Sequence, residues 1–282
     1  MISKLALGTV QFGLDYGVTN CNGQTTLDEV QKILDCAKDN GINTLDTAPG
    51  YGNCEQILGK MGIDDCQIIT KTTPLNGSIN EVIDNFYQSL KKLNVERVEG
   101  LLIHNIDDIK SKQFDALFER LSKLKKEGLV KKIGFSTYMP EQVDFLLENF
   151  DFDLVQLPFN IFDVRLIKGG QLQELKNKNV EVHARSIFLQ GILLDFYHYS
   201  SYFVTWQEQF EKYHAIVKAS GMSLLEYALN FALNIQEIDK VLVGVNSEIQ
   251  LNEIIQSVKE SGSFEAHPID DIDLLNPSLW KI

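Results

Sequence analysis

The chain alternates, eight times over, between short apolar segments and longer amphipathic ones, and this alternation limits the fold more than any other feature. Each short segment is rich in apolar and β-branched residues, as expected of a strand that is buried on both faces. We predict eight strands, at 5–9, 42–48, 67–72, 98–105, 131–137, 153–160, 181–188 and 240–246.

The segments between these strands carry apolar residues at spacings of three and four, which is typical of amphipathic helices. In the first of them the apolar stripe runs from Leu27 to Ala37, and Thr25 or Thr26 is placed to cap its N-terminus. The glycines that end KDNG (38–41) and KKEG (125–128) suit helix C-termini. Similar stripes predict helices through 79–93, 114–124, 172–175 and 249–258.

Strand followed by helix, repeated without a Pro/Gly/Ser-rich linker, favours a closed parallel barrel of the (β/α)8 or TIM type, formed as one domain from 1–282. An open doubly wound sheet is the alternative, but no G-x-G-x-x-G follows the first strand. Two segments depart from the repeat. One is an insertion at 189–236 between strands seven and eight, and the other is an acidic tail from 263 to 282.

Charge and composition exclude several classes of partner. With 26 basic and 39 acidic residues the formal net charge is -13, which disfavours nucleic acid. No apolar run approaches the roughly 18 residues that span a bilayer, and the N-terminus lacks a signal-peptide pattern, so we predict a cytoplasmic protein without a membrane partner. The four cysteines form no C-x-x-C pair and the histidines no H-x-x-x-H pair, which predicts no metal site and no disulfide.

Four polar residues fall at or just beyond the ends of predicted strands. Asp46 ends strand two, Tyr51 lies in the loop that follows it, Lys71 ends strand three and His104 ends strand four. In a (β/α)8 barrel the loops after the strands converge over one face, where catalytic residues lie. Taken singly, each residue is explained by capping or packing, but all four would face the same bowl.

The chemistry of such a group follows from its charges. A buried ammonium is costly unless it is paired, and Asp46 on the neighbouring strand is the partner that we predict for Lys71. An adjacent ammonium favours a phenolate, so we predict that Lys71 lowers the pKa of Tyr51 and makes it a general acid. A neutral His104 can hold a carbonyl oxygen by a hydrogen bond. No side chain here donates hydride, so a reductant must come from a cofactor.

The motifs around these residues resemble the aldo-keto reductase superfamily over nearly the whole chain. DTAPGYGNCEQILG, beginning at Asp46, matches the family pattern D-T-A-x-x-Y-G-x-x-E-x-x-L-G, while ITKT and LLIHN match the strands that carry the family's lysine and histidine. The resemblance implies a catalytic tetrad of Asp46, Tyr51, Lys71 and His104. It implies an oxidoreductase that reduces an aldehyde or ketone to an alcohol with NAD(P)H.

The resemblance also implies a set of residues that bind the nicotinamide cofactor. Three positions depart from the family pattern: Thr137 stands for asparagine, Arg185 for the aromatic residue that stacks on the nicotinamide, and Ile187 for proline. The implied cofactor-binding residues are Gly8, Thr9, Asp46, Ser136, Thr137, Gln156, Arg185, Ser186, Phe188, Gln190, Gly191, Gly244, Val245, Asn246, Ser247, Gln250 and Glu253. The last six belong to a segment in which loop amides and a helix N-terminus would cradle phosphate.

The family favours NADP(H), but this sequence leaves NAD(H) open. No lysine or arginine occurs from Val241 to Val258, and a 2′-phosphate is normally met by such a residue.

The expected partner is a small-molecule carbonyl substrate, and the sequence makes no prediction about oligomeric state. LGTVQFGLDYG and ARSIFLQG are similar to a branch of the superfamily associated with bacterial surface-sugar synthesis, which implies a keto-sugar or nucleotide-linked sugar. Aromatic residues of the insertion, at 196–199 and at Tyr202, Phe203 and Trp206, and Trp280 in the tail would either line the pocket or pack against the barrel.

Two other functions stay open from the sequence. One is a lyase or aldolase in which Lys71 forms a Schiff base. The other is a regulatory protein that binds a nucleotide on the same fold.

Overall fold

In the computed structural model, which describes residues 1–195, 200–260 and 262–281, eight parallel strands close into a barrel in sequence order. Each strand pairs with its neighbours, and β8 returns to β1 with Gly244 opposite Gly8. The predicted (β/α)8 barrel is therefore confirmed and the open sheet is excluded. The strands are β1 (Leu5–Gly8), β2 (Thr44–Asp46), β3 (Gln67–Lys71), β4 (Val98–Ile103), β5 (Val130–Ser136), β6 (Leu154–Pro158), β7 (Glu181–Arg185) and β8 (Lys240–Gly244).

Helices surround the barrel in the predicted alternation. Thr26 caps α2 by accepting a hydrogen bond from the backbone of Glu29, and both Gly41 and Gly128 have positive φ after their helices, as predicted. The helices are α1 (Val10–Gly13), α2 (Leu27–Asp39), α3 (Cys54–Leu58), α4 (Ile79–Leu93), α5 (Phe114–Lys126), α6 (Pro140–Asn149), α7 (Arg165–Lys168), α8 (Gln171–Asn177), α9 (Gln207–Ser220), α10 (Leu224–Leu233), α11 (Glu248–Gln256) and α12 (Ile272–Leu275).

The strands are shorter than predicted, mainly at their carboxyl ends. His104 lies one residue past β4, and 186–188 leave β7 because Ser186 has a φ of 59°, which no strand accommodates. These trimmed ends form the loops above the barrel. Of the four predicted catalytic residues, Tyr51 and His104 lie in these loops, whereas Asp46 and Lys71 are the last residues of β2 and β3.

The interior of the barrel is arranged in layers. Because side chains two residues apart share a face of a strand, Ile69 lies below Lys71 and Leu154 lies below Gln156. Ile69, Leu102 and Leu154 form a small apolar cluster of their own inside the barrel. Gly100 makes room for it, since a Cβ there would lie 2.8 Å from Ile69 Cδ1. The apolar layer closes the barrel beneath the polar one.

The insertion between β7 and β8 packs against the C-terminal tail. It holds two helices, α9 and α10, and a 3-10 helix (Ser201–Trp206) precedes them. The Phe203 and Trp280 rings meet edge to face with centroids 4.8 Å apart, and Trp206 Nε1 donates to Asp271 Oδ2 at 2.9 Å. The predicted aromatic positions 196–199 lie outside the described residues.

Candidate active site

The polar layer at the top of the barrel is centred on an ion pair between β2 and β3. Lys71 Nζ donates to Asp46 Oδ1 at 2.9 Å, to Asp46 Oδ2 at 2.8 Å and to the carbonyl oxygen of Thr47 at 2.9 Å. The lysine side chain is 1% exposed. Burial alone lowers the pKa of Lys71, but the Asp46 carboxylate and Tyr51 outweigh it and raise the pKa above its ordinary value. The predicted pairing is therefore present, and the ammonium is charged.

Gln156 joins this pair from the far side of the barrel. Its Nε2 donates to Asp46 Oδ1 at 2.7 Å, and the side chain is buried. Thr9 contacts the same residue through the main chain, because its Oγ1 donates to the Asp46 carbonyl oxygen at 2.8 Å. Thr9, just after β1, together with Lys71 of β3 and Gln156 of β6, thus holds Asp46 in one position, which orients the ammonium of Lys71.

Tyr51 is held beside the ion pair by a turn that two glycines make possible. A Cβ at Gly13 would lie 1.9 Å from the Tyr51 carbonyl oxygen, and Gly52 has a φ of +59° with Gly13 O only 2.3 Å from an added Cβ. Two segments with side chains cannot approach so closely. The turn places the Tyr51 ring so that its centroid lies 5.0 Å from Lys71 Nζ.

The pKa of Tyr51 differs from the sequence prediction. Burial raises the pKa of this phenol, and although Lys71 acts to lower it, the pKa ends above its usual 10. The predicted lowering was therefore wrong in its sign, because the sequence shows the neighbouring charge but not the loss of water around the ring. A raised pKa keeps the phenol protonated at neutral pH, which is the form that can give up a proton.

His104 follows β4 and faces the tyrosine across the cleft. Their ring centroids are 6.1 Å apart at 85°, and the His104 amide donates to Thr72 Oγ1 at 3.3 Å. Burial, and then the ammonium of Lys71, lowers the pKa of His104 from 6.5 to about 4. The imidazole is neutral at pH 7, as predicted, and can hydrogen-bond an oxygen without carrying charge.

The lowered pKa of His104 predicts a pH dependence of stability. Between pH 6.5 and about 4 the unfolded chain binds a proton at this residue that the folded chain excludes. Stability should therefore fall as the pH is lowered through this window, and His104→Gln should lose less stability than the natural chain over the same range. Urea unfolding at several pH values measures the difference. Parallel curves for the two proteins would contradict the assignment.

These residues open into a cleft of about 550 Å³, a size typical of ligand sites. The cleft runs across the carboxyl end of the barrel from β4 to α11. The predicted cofactor-binding residues that line it are Gly8, Thr9, Asp46, Ser136, Gln156, Arg185, Ser186, Phe188, Gln190, Gly191, Gly244, Val245, Asn246, Gln250 and Glu253. The lining residues from β1, β2, β5, β6, β7 and β8 thus lie together at one face of the molecule.

Two predicted cofactor-binding residues do not line the cleft. Thr137 is buried, and its carbonyl oxygen accepts from Arg185 Nη2 at 2.9 Å. Ser247 caps α11, where its Oγ accepts from the backbone of Gln250 at 3.2 Å. Both residues support cleft residues through these contacts.

Arg185, which stands where the family has an aromatic residue, lies against Tyr138. Its guanidinium carbon is 4.2 Å from the centre of that ring, within the range of a cation–π contact. The hydrogen bond from Arg185 Nη2 to the Thr137 carbonyl oxygen also holds the guanidinium plane in position. Arg185 and Tyr138 together form a flat, charged wall of the cleft.

Sequence reasoning missed several residues in the lining, among them the polar Gln11, Tyr16 and Tyr138. Tyr138 lies two residues past the end of β5, so the rule that predicted His104 applies to it, whereas Gln11 and Tyr16 lie farther beyond β1 and no strand-end signal marks them. Two side-chain oxygens in the wall, Gln11 Oε1 and Asn246 Oδ1, have no hydrogen-bond donor within the described residues. A ligand with amide or hydroxyl donors would satisfy both oxygens, so the lining fits a dinucleotide.

The described aromatic residues of the insertion do not reach this cleft. Tyr202, Phe203, Trp206 and Trp280 contact one another or the tail, and the Tyr202 hydroxyl donates to the Asp273 carbonyl oxygen at 2.9 Å. The sequence left open whether these aromatic residues line the pocket or pack against the rest of the protein, and these contacts favour packing. The cleft is instead lined by other side chains, including Tyr16, Tyr138 and Leu225.

The part of the chain that the structure describes contains neither a metal-binding cluster nor a membrane-spanning helix. There, no three histidine, cysteine or acidic side chains come together as a metal site. Within the same residues, no helix is both long and apolar enough to cross a bilayer.

Comparison with known proteins agrees with the class that this fold and site define, a nicotinamide-dependent oxidoreductase. The sequence model described as "Aldo/keto reductase family" matches residues 4–276. The chain belongs to the aldo/keto reductase family.

Individual relatives are distant. L-galactose dehydrogenase from Arabidopsis thaliana is 28% identical over 92% of this chain and 85% of its own length. The aldo-keto reductase YhdN from Bacillus subtilis is 27% identical, over 68% of this chain but only 60% of that protein. Among solved structures, the aldo-keto reductase AKR11C1 from Bacillus halodurans in its holo form has a TM-score of 0.75, with 21% identity over 92% of this chain and 88% of that one. At that identity the structural likeness concerns the fold.

Proposed function

We propose that this chain reduces the carbonyl group of a small polyhydroxylated substrate, with Tyr51 as the proton donor. The observation that carries the proposal is the position of the Tyr51 ring, 5.0 Å from a charged, fully paired Lys71 and beside a neutral His104. When bound, the reduced nicotinamide supplies hydride to the carbonyl carbon.

Side chains of the protein carry out the remaining steps of the reaction. His104 donates a hydrogen bond to the carbonyl oxygen and holds it within reach of the phenol. Tyr51 then gives its proton to that oxygen, and the ammonium of Lys71 stabilises the phenolate that is left. Asp46, fixed by Thr9 and Gln156, keeps the ammonium in place. Burial of the ring strengthens these interactions, since water no longer screens them.

Residues that line the cleft on the other side of the tetrad would hold the cofactor. Gln156, Ser136 and Asn246 present amide and hydroxyl groups there, and Gly8 and Gly244 let a ligand approach the strand ends closely. Ser247 and Thr137 would act by supporting their neighbours. The family resemblance favours NADP(H), whereas the absence of lysine and arginine from 241–258 leaves NAD(H) open.

A sugar-like substrate is the specific form of this proposal. One of the relatives is named for the sugar L-galactose, and the resemblance to the surface-sugar branch implies a keto-sugar or nucleotide-linked sugar. Tyr16 and Tyr138 line the cleft. Their ring faces suit the apolar face of a sugar, and their hydroxyl groups can form hydrogen bonds with its oxygens. A cytoplasmic location and a single domain over 1–282 stay predictions.

The position of Lys71 disfavours a Schiff-base lyase. A nucleophilic amine must be neutral, but this nitrogen is charged and donates to three oxygens. A regulatory protein that only binds a nucleotide would use the same cleft as a reductase. Turnover therefore distinguishes the two functions.

Turnover with a panel of carbonyl compounds tests the proposal. Keto-sugars, nucleotide-linked keto-sugars and simple aldehydes are each mixed with NADH or NADPH, and the absorbance of the reduced nicotinamide is followed. We expect faster consumption with the sugars than with simple aldehydes. Consumption with simple aldehydes alone would discard the sugar assignment, and dinucleotide binding without consumption in any mixture would favour the regulatory protein.

A further inference from the structure

The N-terminus of α11, beside the cleft, is capped by an acidic side chain of the protein itself. Barrels of this type commonly bind phosphate after strands seven and eight, at a helix N-terminus where free amides attract an anion. Here Glu29, in the first turn of α2, reaches across and accepts a hydrogen bond from the Glu248 amide with its Oε1 at 2.8 Å. This hydrogen bond lowers the pKa of Glu29, so the carboxylate is ionised at neutral pH.

Neighbouring amides at this helix end are satisfied in the same way. Ser247 Oγ accepts from the Gln250 amide at 3.2 Å, and Gln250 Oε1 accepts from the Asn246 amide at 2.8 Å. A phosphate arriving here would have to displace protein acceptors. One of those acceptors carries a negative charge.

The side chains that line this end of the cleft add no positive charge. Asn246, Gln250 and Glu253 border it, and Arg185 is the only lysine or arginine among the described lining residues. The guanidinium of Arg185 is held against Tyr138 and Thr137, on the β5 and β7 side of the cleft. Glu29 forms an ion pair with the exposed Lys32, whose Nζ lies 3.4 Å from Glu29 Oε2.

We infer that Glu29, with Glu253, makes this cleft select a dinucleotide without a 2′-phosphate, NAD(H), over NADP(H). This inference rests on the proposed function, since it assumes that the cleft binds the dinucleotide with its adenosine end at α11. A 2′-phosphate adds roughly two negative charges next to two carboxylates. A ribose 2′-hydroxyl can instead donate a hydrogen bond to a carboxylate, as in other dinucleotide sites that take NAD.

Binding affinities test the inference without any turnover. The dissociation constants of NADH and NADPH are measured by calorimetry for the natural chain, Glu29→Gln, Glu29→Gln with Glu253→Gln, and Glu119→Gln. Glutamine keeps an oxygen for the Glu248 amide but removes the charge. Glu119, which is exposed on α5, gives a control with the same change in net charge.

We expect the natural chain and Glu119→Gln to bind NADH at least about tenfold more tightly than NADPH. Glu29→Gln should tighten NADPH binding by about tenfold while NADH changes little, and the double variant should tighten it further. A gain in affinity is not expected from a merely damaged helix end. The same pattern should appear with ADP and its 2′-phosphorylated counterpart, which carry no nicotinamide.

Three results would overturn the inference. The natural chain could prefer NADPH, or Glu29→Gln could keep the selectivity of Glu119→Gln. In both cases the dinucleotide binds, so the proposed function survives and only the selectivity assignment fails. If the natural chain binds neither dinucleotide, the proposed function itself fails and the inference falls with it.

Discussion

Replacing Tyr51 with phenylalanine is expected to lower kcat by about 10²- to 10⁴-fold, the usual contribution of a positioned general acid. The variant keeps the ring between His104 and Lys71 and loses only the proton that the carbonyl oxygen must receive. Dinucleotide affinity should change little, because the hydroxyl serves the chemical step. Steady-state turnover and calorimetric titration of the same protein separate the two effects.

Tyr138→Phe is the matched control for this experiment. It removes a phenolic hydroxyl from the same cleft but leaves the ring face on which Arg185 lies. Its loss of kcat should be much smaller than that of Tyr51→Phe. Near-normal turnover in Tyr51→Phe would remove Tyr51 from the mechanism, and equal losses in the two variants would show that the assay reports general damage to the cleft.

Replacing Lys71 with methionine is expected to abolish measurable turnover and to destabilise the protein by about 3–5 kcal/mol. The second effect arises because the Asp46 carboxylate would stay buried among Gln156 and Thr47 with no counter-charge. Urea unfolding measures the loss of stability. The phenol would also lose the ammonium that opposes the effect of burial on its pKa.

A double variant separates stability from catalysis. Lys71→Met with Asp46→Asn removes both charges, so most of the lost stability should return while turnover should not. If Lys71→Met alone is too unstable to purify, the double variant supplies the folded protein. Recovery of turnover in the double variant would contradict the role of Lys71, and unchanged stability in the single variant would contradict the pairing.

The barrel was predictable because its signals are local. A buried strand and an amphipathic helix each carry their pattern within a few consecutive residues, and eight repeats in order leave few other topologies. The ends of the strands were less well predicted. The predicted β7 ran on through 186–188, although the positive φ of Ser186 ends the strand there, and the predicted β4 ran to 105, two residues past its end at Ile103.

The ion pair was predictable for a related reason. Adjacent parallel strands end at the same face, so Asp46 and Lys71 had to lie close together. The lining of the cleft was harder, since it depends on how loops fold over that face. Thr137 and Ser247 turned out to support neighbours, while Gln11, Tyr16 and Tyr138 line the cleft without having been predicted.

By itself the sequence determined the order of strands and helices and the face on which Asp46, Lys71 and His104 meet, because both depend on periodicity and chain direction. Only the tertiary structure decided the direction of the Tyr51 pKa and the contact of Glu29 with the Glu248 amide, whose residues lie 219 positions apart. Burial and charge act through distances in space, and no pattern of neighbouring residues records which distant side chain removes water from a phenol or fills a helix end.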